Sequence, residues 1–197
     1  NSSYGETNAN EFDSEIKKYL DSWYKQNILD KGYNEYVADS GFCNDRSLSS
    51  GDGVLTDKNT FYSGYQRYYD KHSPTLTCSN KENDLFTTST ANIGNKALTY
   101  PIGLITVDEL MLGGLVDGYL NRLSYTYSSY SYRTMTPSRF SISDGSAYEF
   151  VANSSGYASY DRVTTNYGVR AIINLKSDVE ISGGIGTAND PFVIQTT

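Results

Sequence analysis

Residues 103–111 read GLITVDELM and place a short apolar run directly before the start of a helix. Thr106 and Glu109 have the spacing of a capping box, in which the side chain of each residue accepts a hydrogen bond from the backbone N–H of the other. Residues 110–112 supply apolar side chains for the buried helix face, and the Gly113-Gly114 pair is a stop signal. The stretch therefore predicts a strand that runs into a capped helix of about two turns.

The N-terminal part of the chain predicts a longer amphipathic helix over residues 11–31. Apolar side chains recur there at the spacing of one helix face, at Phe12, Ile16, Tyr19, Leu20, Trp23 and Ile28. Charged residues lie between them, and the Lys31-Gly32 pair is typical of a helix end.

Between the two helices, residues 33–97 are rich in Ser, Asn, Asp and Gly and predict a loop-rich insertion. Short strands are predicted over residues 98–105, 133–135, 148–152, 157–160, 169–175 and 192–195. The run 169–175 carries the strongest strand signal, because Gly168 precedes it and Lys176 follows it. The predicted fold class is α+β, with two helices and an antiparallel sheet of short strands in one domain, residues 1–197.

Composition limits the classes of protein that this chain can represent. Its 197 residues are 38% hydrophobic, enough for one domain with a core. A net charge of −7 without any Lys- or Arg-rich run argues against nucleic acid as a partner. No apolar run approaches the roughly 18 residues that span a bilayer. Because the chain starts at Asn1 without a leader-like segment, we expect an ectodomain whose only link to a membrane is a missing N-terminal anchor.

The two cysteines, Cys43 and Cys78, lie in polar, turn-rich surroundings inside the predicted insertion. An even pair of exposed thiols in an oxidising compartment most often forms a disulfide. Metal binding by thiolates competes poorly, because the spacing does not fit a thiolate finger and His72 is the only histidine. The pair therefore predicts a disulfide that staples the insertion and an extracellular or cell-surface location.

No catalytic residue, metal site or cofactor is predicted. His72 lies in a polar segment, which favours an exposed turn histidine over a catalytic base. Asp108 and Glu109 are interpreted as helix-capping residues rather than an acid–base pair. Oxygen ligands for calcium occur at Asn44, Asp45, Asp52, Asp57, Asn189 and Asp190, yet they form no recognised calcium loop. A structural calcium ion is the alternative that these residues leave open.

The most unusual composition lies in residues 119–167, which hold nine tyrosines and eleven serines in 49 positions. Lysine is absent from residues 97–175, whereas five arginines remain there. Tyrosine gives a rigid amphipathic contact face and serine an adaptable polar one, a mixture typical of recognition surfaces. The alternative is a β-rich region in which aromatic residues simply suit strands.

Three segments together resemble the C-type-lectin-like fold in its bacterial form. They are residues 16–24 (IKKYLDSWY), residues 103–111, and residues 167–176 (YGVRAIINLK) preceded by residues 134–138 (TMTPS). The chain resembles surface domains of gut Firmicutes and the variable proteins of diversity-generating retroelements and, more distantly, formylglycine-generating enzymes. It departs from the pattern at Arg133, where an aromatic residue is expected, and at Ala171, where proline is expected. Both cysteines lie in the insertion, so the resemblance implies no oxidase activity.

The resemblance and the tyrosine-rich composition together predict a bacterial extracellular ligand-binding module without catalytic activity. Its partner would be a protein or glycan on another cell, or on a phage or host surface. The predicted ligand-binding residues are Tyr125, Tyr127, Tyr130, Tyr132, Arg133, Tyr148, Tyr157, Tyr160 and Arg162. Diversification of this window by a retroelement would produce such a mixture of Tyr, Ser, Asn and Asp. The alternative function is a structural head domain of a pilin-like surface protein.

Overall fold

The computed structural model describes residues 13–53, 58–89, 97–187 and 189–195. These residues form a mixed α and β fold with antiparallel sheets and one disulfide. The helices are α1 (Glu15–Tyr24), α2 (Ser63–Tyr65), α3 (Lys81–Asp84) and α4 (Val107–Leu112), with π-helical turns at Lys25–Leu29 and Gln66–Lys71 and a 3₁₀ turn at Tyr33–Tyr36. The strands are β1 (Phe42–Cys43), β2 (Leu48–Ser50), β3 (Thr60–Tyr62), β4 (Leu85–Phe86), β5 (Gly103–Leu104), β6 (Tyr132–Ser141), β7 (Ser146–Asn153), β8 (Tyr157–Arg162), β9 (Ala171–Ile172), β10 (Ile181–Gly183) and β11 (Val193–Ile194).

A five-stranded antiparallel sheet in the order β2-β3-β6-β7-β8 forms the centre of the fold. The pairs β1–β4, β5–β9 and β10–β11 form three small antiparallel sheets beside it. Strands β6 and β7 pair from Tyr132 opposite Ala152 to Ser141 opposite Ser146. The register shifts on both sides of Pro137, which has no N–H to donate to the ladder.

The main core lies between this sheet and the helical segments that pack on one of its faces. Five side chains in it are fully buried, namely Tyr68, Val107, Leu110, Leu115 and Phe150. The Tyr68 hydroxyl donates to the carbonyl oxygen of Ala158 at 2.7 Å, which satisfies its one polar atom inside the core.

A second core forms where α1 packs against the loop before β5. Leu20 and Tyr24 of α1 contact buried Ile102 and Leu104, and the Tyr24 ring stacks on Tyr100 with 4.9 Å between ring centroids. The predicted helix is confirmed over Glu15–Tyr24, where Ser14 caps it, and it continues into the π-helical turn Lys25–Leu29. Phe12 lies outside the described residues.

The strand and the capped helix predicted from residues 103–111 are both confirmed, as β5 and α4. Helix α4 begins after Thr106, whose hydroxyl accepts from the Glu109 N–H at 3.1 Å. The Glu109 carboxylate in turn accepts from the Thr106 N–H at 2.7 Å, so the capping box is complete.

The predicted disulfide is also confirmed, since Cys43 and Cys78 are bonded. The bridge joins residues 35 positions apart, and closing a loop of this length stabilises the fold by about 4 kcal/mol in the chain-entropy treatment. Within the described residues, no helix is both long enough and apolar enough to cross a bilayer.

Several predicted element bounds are wrong. Residues 33–97 are not only an insertion, because they supply β2 and β3 to the central sheet and Tyr68 to the main core. The run 169–175 forms only the two-residue strand β9, and the run 98–105 forms only β5. The strand predicted over 133–135 extends to Ser141. Its length could not be predicted from hydrophobic alternation, because the buried positions Thr134, Thr136 and Ser138 carry polar side chains.

Candidate binding surface

The segment between α4 and β6 exposes an unusual number of large side chains. Residues 117–131 have no helix or strand, and we call this tyrosine-rich segment the tyrosine loop. Its large exposed side chains, with their exposed fractions, are Tyr119 (72%), Leu120 (69%), Leu123 (98%), Tyr125 (75%) and Tyr130 (79%). Exposed apolar residues scattered singly need no explanation, whereas a group of them on one segment makes that segment a candidate contact surface.

One side of the tyrosine loop is fixed by the turn between β7 and β8. The Asn121 N–H donates to the carbonyl oxygen of Gly156 at 2.7 Å. Gly156 has φ 99°, and a Cβ atom there would lie only 3.0 Å from the carbonyl carbon of Asn121. Glycine is therefore required at this position both by the backbone angle and by the close approach of the loop.

The other side of the tyrosine loop is held from the end of α4 and from the segment before β9. The Ser124 hydroxyl donates to the Gly113 carbonyl at 2.6 Å. Arg170 donates to the carbonyl oxygens of Thr126 at 2.9 Å and Tyr125 at 3.2 Å, and the Tyr132 hydroxyl also donates to Thr126. Thr126 is buried, so the loop has an anchored base beneath its exposed rings.

Three of the nine predicted binding residues lie on the tyrosine loop. Tyr125 and Tyr130 are exposed, and Tyr127 is half-buried. Half-buried Tyr157 pairs with Asn153 at the end of the β7–β8 hairpin that carries Gly156. These four residues lie at the end of the sheet where the loop is anchored.

Tyr132 and Arg133 are buried, so neither lies on an exposed surface as the sequence predicts. Tyr132 belongs to the main core, and burial raises the pKa of its hydroxyl. Arg133 pairs with Glu149 and donates to the carbonyl oxygens of Val163 (3.0 Å) and Thr165. It lies at the wall of an apolar cavity of about 430 Å³ that α1 also lines.

Tyr148, Tyr160 and Arg162 lie towards the other end of the sheet, near the turn between β6 and β7. The guanidinium of Arg139 lies over both the Tyr148 and the Tyr160 ring, 4.7 and 4.8 Å from their centroids. Arg162 donates to Asp144 at 2.8 Å, and the Tyr148 hydroxyl donates to the same carboxylate at 2.6 Å. Hydrogen bonds from Tyr148 and then Arg162 hold the pKa of Asp144 below its ordinary range.

The nine predicted residues therefore do not form one surface. Those near Arg139 contact one another, whereas Tyr125 and Tyr130 on the tyrosine loop face outward. Tyr119, Leu120 and Leu123 were missed in the sequence prediction, although they are the loop's other large exposed side chains. Apolar residues without helical or strand periodicity between Gly118 and Ser124 are the signal that could have identified them.

Asp108 also differs from its prediction as a capping residue. It accepts two hydrogen bonds from Arg67, at 2.6 and 2.7 Å, and a third from the Thr75 N–H at 3.0 Å. Arg67 donates further to Asp45 at 2.6 Å. Burial alone would lower the pKa of Arg67, but the hydrogen bonds and charges of Asp108 and Asp45 raise it above its ordinary value.

The candidate calcium ligands Asp45, Asp52 and Asp190 do not belong to a metal-binding group in the part of the chain that the structure describes. No group of three His, Cys, Asp or Glu side chains among those residues is arranged to hold a metal ion. Asp45 pairs with Arg67, and Asp190 lies in the turn where its N–H donates to Thr187. Asp57 lies outside the described residues.

Comparison of the chain with protein-family models, with curated proteins and with solved structures finds no significant match.

Proposed function

We propose that this chain is an extracellular, non-catalytic module that binds a protein ligand through the tyrosine loop. The observation that carries the proposal is that five large exposed side chains lie on a loop whose base is anchored by hydrogen bonds. A contact surface that is already ordered loses little conformational entropy when it binds, so more of the contact energy appears as affinity.

The side chains on the tyrosine loop favour a protein over a glycan. Tyr125 and Tyr130 suit either class, since a phenol offers both a ring face and a hydroxyl. Leu120 and Leu123 offer no ring to stack on a sugar, but they fit the apolar core of a protein interface. Arg122 is exposed on the same loop and replaces buried Arg133 as the cation that we assign to a carboxylate or carbonyl of the ligand.

The disulfide supports an extracellular setting, because such bonds persist in oxidising compartments. The non-catalytic part of the proposal rests on His72 and Asp108, the residues considered above as a catalytic base and as part of an acid–base pair. His72 is exposed at the end of the π-helical turn, in the left-handed backbone region, and Asp108 is engaged by Arg67. A bacterial cell surface belongs to the same proposal.

Retroelement diversification is the most specific part of the proposal and has its own test. Sibling sequences from the same genome would differ at exposed loop positions such as Leu123 and Tyr125. They would keep buried Tyr132, Phe150 and Ala158, although these residues lie in the same window. Substitutions spread evenly over the chain would contradict diversification without touching the binding proposal.

Arrays of purified extracellular proteins and of glycans, probed with the labelled chain, test the proposed function. We expect a protein target that the Leu123→Ser/Tyr125→Ser variant loses. The matched control Tyr19→Ser/Ile185→Ser, which removes two exposed large side chains elsewhere, retains the target. A glycan target, or a protein target that the loop variant retains, would contradict the proposal; the structural head-domain alternative predicts that both variants behave alike.

A further inference from the structure

An apolar cavity of about 430 Å³ is lined by helix α1, strand β6 and residues 97–104. Its apolar lining side chains include Ile16 of α1, Leu98, and Met135 of β6. None of the lining residues belongs to the tyrosine loop, and we call this separate feature the α1 cavity. Sites for small molecules have volumes of about 300–1,000 Å³ and mostly apolar walls, so the α1 cavity has the size and the lining of such a site.

The α1 cavity reaches from the solvent to the second core. Leu20, Ile102 and Leu104 line it and are buried members of that core. Asp13 and Ala97 also line it and are exposed. A ligand can therefore enter past the exposed residues and contact core side chains while the chain stays folded.

The exposed part of the lining is too small for a protein interface. Val163, at 47%, is the only exposed large apolar side chain in the described lining. The other large apolar side chains that line the cavity are buried or half-buried. Because a protein interface buries roughly 800 Å² on each partner, this recessed apolar surface favours a small molecule as the occupant.

The charged residues of the lining are already paired. Arg133 forms an ion pair with Glu149. Lys17 donates to Asp21 at 2.6 Å and lies 3.9 Å from Asp13, which also lines the cavity. The described lining thus holds two cations and two carboxylates and carries no net charge. A charged ligand would leave water without gaining a free counter-ion there, which is costly, so the lining favours an uncharged ligand.

We propose that the α1 cavity binds an uncharged, largely apolar small molecule. Removal of the ligand and of the apolar walls from water is the main source of its affinity. The site discriminates against a charged analogue of the same shape. The α1 cavity shares no residue with the tyrosine loop, so failure of either proposal leaves the other unaffected.

N-phenyl-1-naphthylamine is the probe, because it is uncharged near neutral pH and its fluorescence rises in apolar surroundings. 8-Anilinonaphthalene-1-sulfonate is the comparison probe, since it has the same ring system and one added negative charge. Each is titrated into the chain of residues 1–197 while its fluorescence is followed. We expect saturable uptake of the uncharged probe and at least about tenfold weaker binding of the sulfonate. Equal or tighter binding of the sulfonate, or no saturable uptake, overturns the proposal.

Ile16→Trp places a larger side chain in the cavity and tests the location of the site. We expect at least about tenfold weaker binding, because the indole takes up volume that the ligand needs. Tyr19→Trp is the matched control, since it introduces the same side chain on the same helix at a residue that is 56% exposed and does not line the cavity. This control retains binding. Unchanged affinity in Ile16→Trp overturns the proposal; should that variant not fold, unchanged affinity in Leu98→Trp does so.

Three further results would assign the probe or the cavity differently, and each of them overturns the proposal. Loss of binding in Leu123→Ser/Tyr125→Ser, with retention in Ile16→Trp, would place the probe on the tyrosine loop. Uptake only after removal of residues 1–12 would assign the cavity to those residues. A dimer that Ile16→Trp disrupts, in a chain that takes up no probe, would assign it to a second copy.

Discussion

Arg170 donates through Nη1 to the carbonyl oxygen of Thr126 across 2.9 Å, and so ties the segment before β9 to a loop 44 positions earlier. Its other terminal nitrogen reaches the Tyr125 carbonyl at 3.2 Å. The guanidinium also lies 5.4 Å from the centroid of the Tyr132 ring. Arg170 thereby joins the exposed part of the tyrosine loop to a buried core residue.

Arg170→Lys should loosen the tyrosine loop, because a lysine cannot donate to two carbonyl oxygens from a planar fork. We expect the Tyr127 amide, which donates to the Ser124 carbonyl, to exchange its hydrogen at least about fivefold faster. Amide hydrogen exchange measured by NMR provides the check. Arg162→Lys, at an exposed arginine outside the loop, is the control; equal exchange in both variants would show that Arg170 does not hold the loop.

The buried and exposed tyrosines at either side of Ser131 should respond differently to truncation. Tyr132→Ala should lower the free energy of unfolding by about 3–5 kcal/mol, as expected for loss of a large ring from a core. Tyr130→Ala should change it by less than about 0.5 kcal/mol, because that ring is mostly exposed. Urea unfolding measures both values, and a similar cost for the two variants would contradict the placement of Tyr132 in the core.

The Tyr167 hydroxyl donates to Asp161 at 2.7 Å and is the largest cause of the lowered pKa of that carboxyl. Tyr167→Phe should therefore raise the pKa of Asp161 towards the ordinary value of about 3.9. A carboxyl with a lowered pKa stabilises the fold above its unfolded pKa, and this contribution is lost as the pH falls through the folded value. The midpoint of acid unfolding should move to higher pH in the variant.

An NMR titration of the Asp161 side chain checks the Tyr167→Phe prediction directly. Tyr130→Phe removes a hydroxyl from an exposed loop ring and is the matched control. A pKa of Asp161 that is the same in wild type and Tyr167→Phe would show that another group keeps the carboxylate charged.

Loss of the disulfide should destabilise the chain by about 2–5 kcal/mol. The double variant Cys43→Ser/Cys78→Ser removes the bridge without leaving a free thiol, and denaturant unfolding measures the difference. Stability equal to that of the wild type would mean that the closed loop is ordered without its bridge.

Local signals predicted their part of this structure well, because the physics they report is local. The capping box needs only Thr106 and Glu109, three positions apart, and α1 needs only its apolar spacing. The disulfide follows from the even count of cysteines in polar surroundings. Each of these predictions is confirmed.

The missed features depend on contacts between distant parts of the chain. Strands β2 and β3 have three residues each, too few to show a period, and they are defined by pairing with each other and with β6. The run 169–175 pairs with β5 only at Ala171 and Ile172, while Leu175 forms a bridge with Val37. Composition could reveal a tyrosine-rich window, but it could not separate exposed Tyr130 from buried Tyr132. Tyr132 is buried because it is the first residue of β6 in the central sheet, whereas Tyr130 lies in the loop before it.

Binding through the tyrosine loop is tested most sharply by a map of amide NMR shifts upon addition of the protein target found on the array. We predict that the perturbed amides cluster in residues 117–131, with the greatest changes around Leu123 and Tyr125. Residues around Arg139, Tyr148 and Tyr160 should remain unperturbed. Perturbations centred on that second group, with an unchanged tyrosine loop, would show that the ligand binds elsewhere on the sheet.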